Sequence, residues 1–343
     1  MAQKKRPDPG LAKLKQDLSS GELGTLYLFH GEEDYLRDYY LGQVRKKLLP
    51  AGTDTFNLHV FQGKELEPQE LSDCVDALPM MNDRTVLIVY DFDLFKNEER
   101  RGRMETLLGD LPDYVCLIFV YDLIPFKSNG NTRLGKLIKK TGCTVEFRPQ
   151  RQSDLNAWIR RHFKALGKEI DNSTAEYLTF LCGGLMTGLD SEIEKIGAYA
   201  SGSKVTRADV DAVATPVLDA RVFAMSNAIG ARDFERAMAV LSELYQMNES
   251  PIMILAVLGT QLRQMWSARL ALEQKRGQDY LVDLWNLRTG WQARRILESA
   301  RRYDLNWCRS AVALAAETDL AMKSTGADGE ELLVELLLRL ASC

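Results

Sequence analysis

An α/β domain followed by two all-helical domains is the architecture this sequence predicts, and three observations predict it. Five short apolar runs alternate with helical segments over the first 150 residues, as in a parallel sheet covered on both faces. From Gln152 onward the apolar residues recur at helical spacing only. Pro216 then interrupts the helical part. A length of 343 residues, at roughly 100–200 residues per domain, agrees with the division this implies: an α/β domain over 1–149, a small helical domain over 150–215 and a larger one over 216–343.

Taken in order, Leu26 to His30 (LYLFH) reads as the first strand and runs into Gly31, and Asp34 to Leu49 reads as a helix that Pro50 closes. Phe56 to Phe61 (FNLHVF) alternates like a strand. Pro68 to Ala77 carries the acidic first turn that suits a helix N-terminus. Val86 to Tyr90 (VLIVY), a polar helix around Asn97 to Leu108, Val115 to Tyr121 (VCLIFVY), a helix over Leu134 to Lys140 and a last strand, Thr144 to Arg148, complete the domain. In the helical part, Leu155, Trp158, Ile159, Phe163 and Leu166 share a face, and Gly167 follows as a helix-ending residue. Thr174 to Cys182, Leu189 to Tyr199 and Thr206 to Val213 are three more helices, the last with Thr206 and Asp209 spaced as a capping box. Beyond Pro216, one apolar stripe of Ile254, Leu255, Leu258, Leu262, Met265 and Trp266 and another of Leu332, Leu333, Leu336, Leu337 and Leu340 read as core.

The composition narrows the function classes. Hydrophobic residues make up 45% of the chain, with 24 glycines and 10 prolines, which excludes collagen-like and disordered classes. Forty-four basic against 48 acidic residues give a net charge of -4, so any DNA contact must be a local basic patch. Six cysteines (74, 116, 143, 182, 308 and 343) and three histidines lie scattered, with no CxxC pair and no paired histidine spacing. A structural metal is not expected, and reduced thiols of a cytoplasmic protein are. The opening MAQKKRPDPG is basic but runs into proline and glycine, unlike a signal peptide. The apolar run TVLIVY is strand-sized, well short of a membrane span.

The end of the first strand is where a phosphate-binding loop belongs. Such a loop needs glycines for backbone N–H groups to wrap phosphate, a lysine and a hydroxyl in G-x-x-x-x-G-K-[ST]. The sequence there is HGEEDYLRD, with one glycine and three carboxylates, Glu32, Glu33 and Asp34, whose charge repels a triphosphate. Asp91 and Asp93 after VLIVY, and Asp122 after VCLIFVY, read as loop or cap carboxylates without a phosphate-loop partner. There is no GxGxxG and no GxSxG elbow. No catalytic residue and no cofactor is expected.

Strings along the chain nevertheless resemble a known family. GELGTLYLFHGEEDYLRD, ALPMMNDRTVLIVYDFD, LNAWIRRHFKALGKEID, GLDSEIEKIGAYASGSKVTRADV and AETDLAMKSTGADGEELLVELLLRL resemble, in the same order, segments of the delta subunit of the bacterial DNA polymerase III clamp loader. Each string alone is modest; the ordered set spans essentially the whole chain. The resemblance implies an AAA+-like α/β domain, a helical lid and a helical collar. It implies a subunit without its own ATP site, in agreement with HGEEDYLRD. The implied function is to bind the sliding clamp (beta) and hold its ring open. Partner subunits (gamma/tau and delta prime), in a five-membered ring with it, use ATP to load the clamp onto primed DNA. An active AAA+ ATPase and a DNA-binding adaptor without a clamp role are the competing classes.

The resemblance places the clamp-binding element at Leu78, Pro79, Met80 and Met81, with the two methionines as the apolar plug. Relatives more often carry an aromatic residue at the second plug position, so Met81 fills less of a pocket. A loop that displays four apolar residues in water invites a cover, and methionine suits an adaptable surface; the alternative is that these side chains turn inward beneath the preceding helix. A second candidate is the run from Arg288 to Arg309. Arg294, Arg295, Arg301 and Arg302, if helical, fall near one face, with Trp291, Tyr303 and Trp307 interleaved. That pattern suits phosphates and bases, but a solvated face over core aromatics, or a contact with neighbouring subunits, is the preferred reading.

Overall fold

A computed structural model describes residues 8–127, 130–287 and 290–343. The first seven residues, read above as an opening that is not a signal peptide, and Arg288 lie outside the described residues. Two compact units emerge, one of residues 8–150 with 185–187, the other of residues 151–184 and 188–343.

The first unit runs α1 (Pro9–Ser20), β1 (Leu26–Gly31), α2 (Asp34–Leu48), α3 (Asp54–Asn57), β2 (Leu58–Gln62), α4 (Pro68–Asp76), β3 (Thr85–Tyr90), α5 (Glu98–Gly109), β4 (Val115–Val120), α6 (Arg133–Thr141) and β5 (Cys143–Phe147). The five strands are parallel, in the order β2-β3-β4-β1-β5, with Leu28 level with Phe119 on one side and Thr144 on the other. Both faces are covered, which is why β1, β3 and β4 read as continuous apolar runs. Leu26, Leu28, Leu87, Val89, Leu117 and Phe119 pack with Leu71 and Val75 of α4, Met104 of α5 and Leu134 of α6. Tyr27, Phe29, Val86, Ile88 and Ile118 pack on the other face with Leu14 of α1 and Leu41 and Val44 of α2.

One predicted strand begins later than expected. Phe56 and Asn57 close a helical turn, the Asn57 N–H donating to Thr53 O at 3.1 Å, and extended pairing starts only at Leu58. The reason is tertiary: Asn57 turns its side chain away from the ladder to bond a loop 23 residues further on.

The second unit contains helices and one minor pair of strands. It runs α7 (Gln152–Ala165), β6 (Glu169–Ile170), α8 (Asn172–Cys182), α9 (Met186–Tyr199, whose first two residues belong to the first unit), β7 (Lys204–Val205) and α10 (Arg207–Val213). It continues with α11 (Leu218–Gly230), α12 (Phe234–Gln246), α13 (Pro251–Glu273), α14 (Gln278–Trp285), α15 (Gly290–Ala300), α16 (Leu305–Ser324) and α17 (Gly329–Ser342). Thr206 and Asp209 form the capping box reciprocally. The strands β6 and β7, two residues each, were not foreseen; they pair in parallel, and Lys168 Nζ donates to the carbonyls of Ala200 and Gly202 beside them. In the C-terminal helices, Ile254, Leu255, Leu258, Leu262 and Met265 of α13 are buried with Ala311 and Leu314 of α16 and Leu333, Leu336, Leu337 and Leu340 of α17. Trp266 lies partly buried at the edge of this core. The first unit is thus a five-stranded parallel α/β layer, and the second is helical apart from β6 and β7.

Candidate functional site

The loop after α4 leaves the helix in extended conformation at Ala77 and displays its apolar side chains to solvent. Leu78 is 74% exposed, Met80 56% and Met81 88%, while Pro79 is half-buried. The side chains do not turn inward beneath α4. Fully exposed, such groups forgo about 1.5–3 kcal/mol each of burial free energy, so the backbone must be held by other means. It is held by two asparagines. The buried Asn57 pairs with the Met80 peptide: Met80 N–H donates to Asn57 Oδ1 at 2.8 Å, and Asn57 Nδ2 donates to Met80 O at 2.8 Å. Asn82 Nδ2 donates to Leu48 O at 3.0 Å and to Arg84 O at 2.6 Å. Between these anchors Met81 takes the left-handed conformation, φ +54°, uncommon for a side chain of its size. Phe56, next to Asn57, is half-exposed as well. Sequence reading placed Asn57 in a strand and assigned it no role; its only local signal was an asparagine within an otherwise strand-like run.

At the carboxyl end of the sheet Glu33, Asp34, Asp91, Asp93 and Asp122 all take part in internal bonds, to backbone N–H groups or to Arg37. Glu33 N–H donates to Phe147 O at 3.1 Å, so the turn after β1 folds back on β5. The fully buried Glu33 carboxylate accepts the Met186 N–H at 3.1 Å. Asp34 and Asp122 both pair with the buried Arg37 guanidinium, at 2.9 and 2.8 Å, and Asp38 meets it at 3.3 Å. Burial alone would lower the Arg37 pKa, but the hydrogen bond to Asp122 and the surrounding carboxylates raise it above its ordinary value. Asp91, also left-handed with φ +53°, accepts the N–H groups of Asp122, Leu123 and Ile124 at 2.9, 2.9 and 3.1 Å, organising the turn after β4. Asp93 accepts from Phe95 N–H at 3.0 Å. These aspartates are thus loop and turn acceptors. His30 packs at a tilt against Phe126 with ring centroids 5.0 Å apart, and burial lowers its pKa, which favours the neutral imidazole. Among the described residues no group of three or more His, Cys, Asp or Glu is arranged to hold a metal ion.

The arginine run divides by exposure. Arg294, Arg295, Arg301, Arg302 and Arg309 are exposed, and Arg295 pairs with Glu298 at 3.1 Å. α15 closes at Ala300, so Arg301 and Arg302 occupy the turn beyond it and do not extend its face. The interleaved aromatics face inward: Tyr303 and Trp307 are buried and stacked, centroids 3.6 Å apart, and Trp291 packs edge-on or tilted against Tyr177, Phe180 and Phe223. Tyr303 and Trp307 therefore offer no exposed ring face beside these arginines.

Comparison with known proteins places the chain as a whole beside a family. The family described as DNA polymerase III, delta subunit, matches residues 27–148, and the DNA polymerase III delta subunit, C-terminal domain, matches residues 219–340. A Bacillus subtilis protein named DNA polymerase III subunit delta is 25% identical over 334 residues, covering 94% of each chain. An Aquifex aeolicus protein named probable DNA polymerase III subunit delta is 25% identical over 264 residues, 74% of this chain and 73% of that one. The solved structure of the Bacillus subtilis DNA clamp loader delta protein shares the fold, with a TM-score of 0.52 at 22% identity, over 97% of this chain and all of that one. Because the two family matches cover the α/β sheet and the C-terminal helices in order, and the full-length relatives span the stretch between, the chain belongs to the delta-subunit family of bacterial DNA polymerase III.

Proposed function

We propose that this chain captures a ring-shaped sliding clamp (beta) through Leu78, Pro79, Met80 and Met81 and holds one interface of the ring open. Partner subunits of the gamma/tau and delta prime kinds use ATP to complete loading onto primed DNA. One observation carries the reading: a loop that exposes Leu78, Met80 and Met81 on a backbone held from two sides. An apolar projection held in place is what a pocket on a partner protein requires. The commitment of Glu33, Asp34, Asp91 and Asp122 to internal bonds supports a subunit that takes no nucleotide and performs no chemistry of its own. On this reading 1–149 carries the clamp contact, 150–215 is a lid, 216–343 is the collar of a five-membered ring, and the complex works in the cytoplasm. No helix among the described residues is long and apolar enough to cross a membrane.

Surface plasmon resonance over an immobilised sliding clamp of the same organism tests the proposal. Wild type is expected to bind, and Met80→Ala with Met81→Ala to weaken binding by at least ~30-fold, the equivalent of about 2 kcal/mol for lost anchors, with an unchanged circular dichroism spectrum. Equal binding by the variant moves the contact elsewhere. Micromolar nucleotide binding by the isolated chain favours the ATPase class instead, and strong DNA binding without clamp binding favours the adaptor.

A further inference from the structure

We infer that Asn57 is a positioning residue for the clamp contact, holding the Met80 peptide so that the Met80 and Met81 side chains project before any partner arrives; this rests on the clamp-binding reading above. The geometry is a two-bond clasp. A primary amide carries an acceptor and two donors. Asn57 applies Oδ1 and one Nδ2 hydrogen to the N–H and carbonyl of the same residue, Met80, both at 2.8 Å. The other Nδ2 hydrogen reaches Thr53 O at 3.0 Å, in the turn that ends at Asn57 itself. Asn57 has no solvent exposure, so an amide left unpaired there would lose hydrogen bonds that water cannot replace.

Fixing this one peptide has a consequence for association. Four apolar residues on an unrestrained loop would sample collapsed conformations that hide them, and binding would then bear the cost of ordering the loop. A binding-competent fraction f raises the apparent dissociation constant by 1/f. Asn57 fixes Met80 from the α3 side, Asn82 fixes the following residues from the last residue of α2, Leu48, and the left-handed Met81 turns the chain between them. The clasp touches main chain only, so Asn57 acts on the availability of the plug and not on its contacts.

The test combines binding kinetics with amide exchange, using wild type, Asn57→Ala and the isosteric Asn57→Asp on the immobilised sliding clamp. Hydrogen exchange is followed by mass spectrometry on fragments spanning residues 78–82. In wild type the Met80 amide is expected to be protected. In Asn57→Ala that protection is lost and the association rate falls about tenfold for a competent fraction of about one tenth, while the dissociation rate stays within about twofold. Asn57→Asp keeps the acceptor for Met80 N–H but lacks the donor to Met80 O, and falls between. A purely structural asparagine would instead lower the melting temperature and leave the kinetics of the folded fraction unchanged. Wild type that binds alongside a folded Asn57→Ala of unchanged association rate overturns the positioning role alone. Wild type that does not bind overturns the clamp reading. Should the variants fail to fold, a Met80 amide in wild type that exchanges as fast as free peptide overturns the clasp by itself.

Discussion

Gly31 illustrates how one residue can suggest one chemistry and serve another. A glycine at the end of the first strand of an α/β domain points toward a phosphate loop, yet here its backbone sits at φ +125°, level with Phe147 of β5. A Cβ at Gly31 would lie 2.2 Å from the Phe147 carbonyl oxygen and 2.7 Å from its nitrogen. Neither atom can yield without breaking the sheet edge. The glycine is therefore required by the close approach of β1 and β5, with no ligand invoked. Gly31→Ala is expected to destabilise the α/β unit by more than about 2 kcal/mol, combining a strained φ with a steric clash. The check is a lower urea midpoint at unchanged slope; an unaltered midpoint would mean that the turn relaxes freely.

At the scale of single elements, end groups decide more than interior propensity. α8 is capped by Asp171, whose carboxylate accepts Thr174 N–H at 2.8 Å and the Ser173 hydroxyl at 2.9 Å. The backbone bond from Thr174, then the Ser173 hydroxyl, holds the Asp171 pKa down at about 2, against 3.8 for the free group. A depressed folded-state pKa contributes stability that is complete above about pH 4 and is lost as pH falls toward 2. Asp171→Asn keeps a good cap without the charge. It is expected to leave stability at pH 7 nearly unchanged and to flatten the pH dependence between 4 and 2, read from thermal melts. Asp171→Ala should cost about 1 kcal/mol at neutral pH. For the turn after α15, Tyr303 and Trp307 are buried, so Arg301 and Arg302 have no stacking partner in these rings and are read as phosphate contacts. If the assembled loader meets DNA there, Arg301→Ala with Arg302→Ala should reduce the salt slope of DNA binding by about 2, with complex assembly unchanged. An unchanged slope assigns these arginines to the solvated surface or to a subunit contact.

Across the whole molecule, the thiols report on each unit separately. All six cysteines are free. Burial pushes Cys116 up to about 12 and Cys143 to about 11 in the α/β unit, and Cys182 to about 12 and Cys308 to about 11 in the helical unit. Only a thiolate attacks a maleimide at a useful rate. At neutral pH the exposed Cys343 should therefore react in a fast phase and the half-buried Cys74 more slowly. The other four should react only when their own unit opens in denaturant, Cys116 and Cys143 together and Cys182 and Cys308 together. Labelling followed by peptide mass spectrometry checks this, and early modification of Cys116 would contradict the packing of β4.

Much of the fold was legible in consecutive residues. The runs LYLFH, VLIVY and VCLIFVY declare buried parallel strands, Thr206 and Asp209 announce their capping box, and the α13 and α17 stripes predict the faces that became core, except that Leu332 is only partly buried and outside the cluster and Trp266 sits at its edge. Each is information held within a few turns or strand repeats, where side-chain period and end chemistry act locally. The apolar character of Leu-Pro-Met-Met could likewise be read directly, and so could the excess of carboxylates after the first strand. Only the tertiary structure decided what these groups meet. Asn57 finds Met80 because β2 and β3 lie side by side, Gly31 meets Phe147 because β1 sits between β4 and β5, and Tyr303 and Trp307 stack inward because the helical core is completed by α17. Such pairings depend on strand order and helix packing between residues far apart in the chain, and no local pattern encodes them.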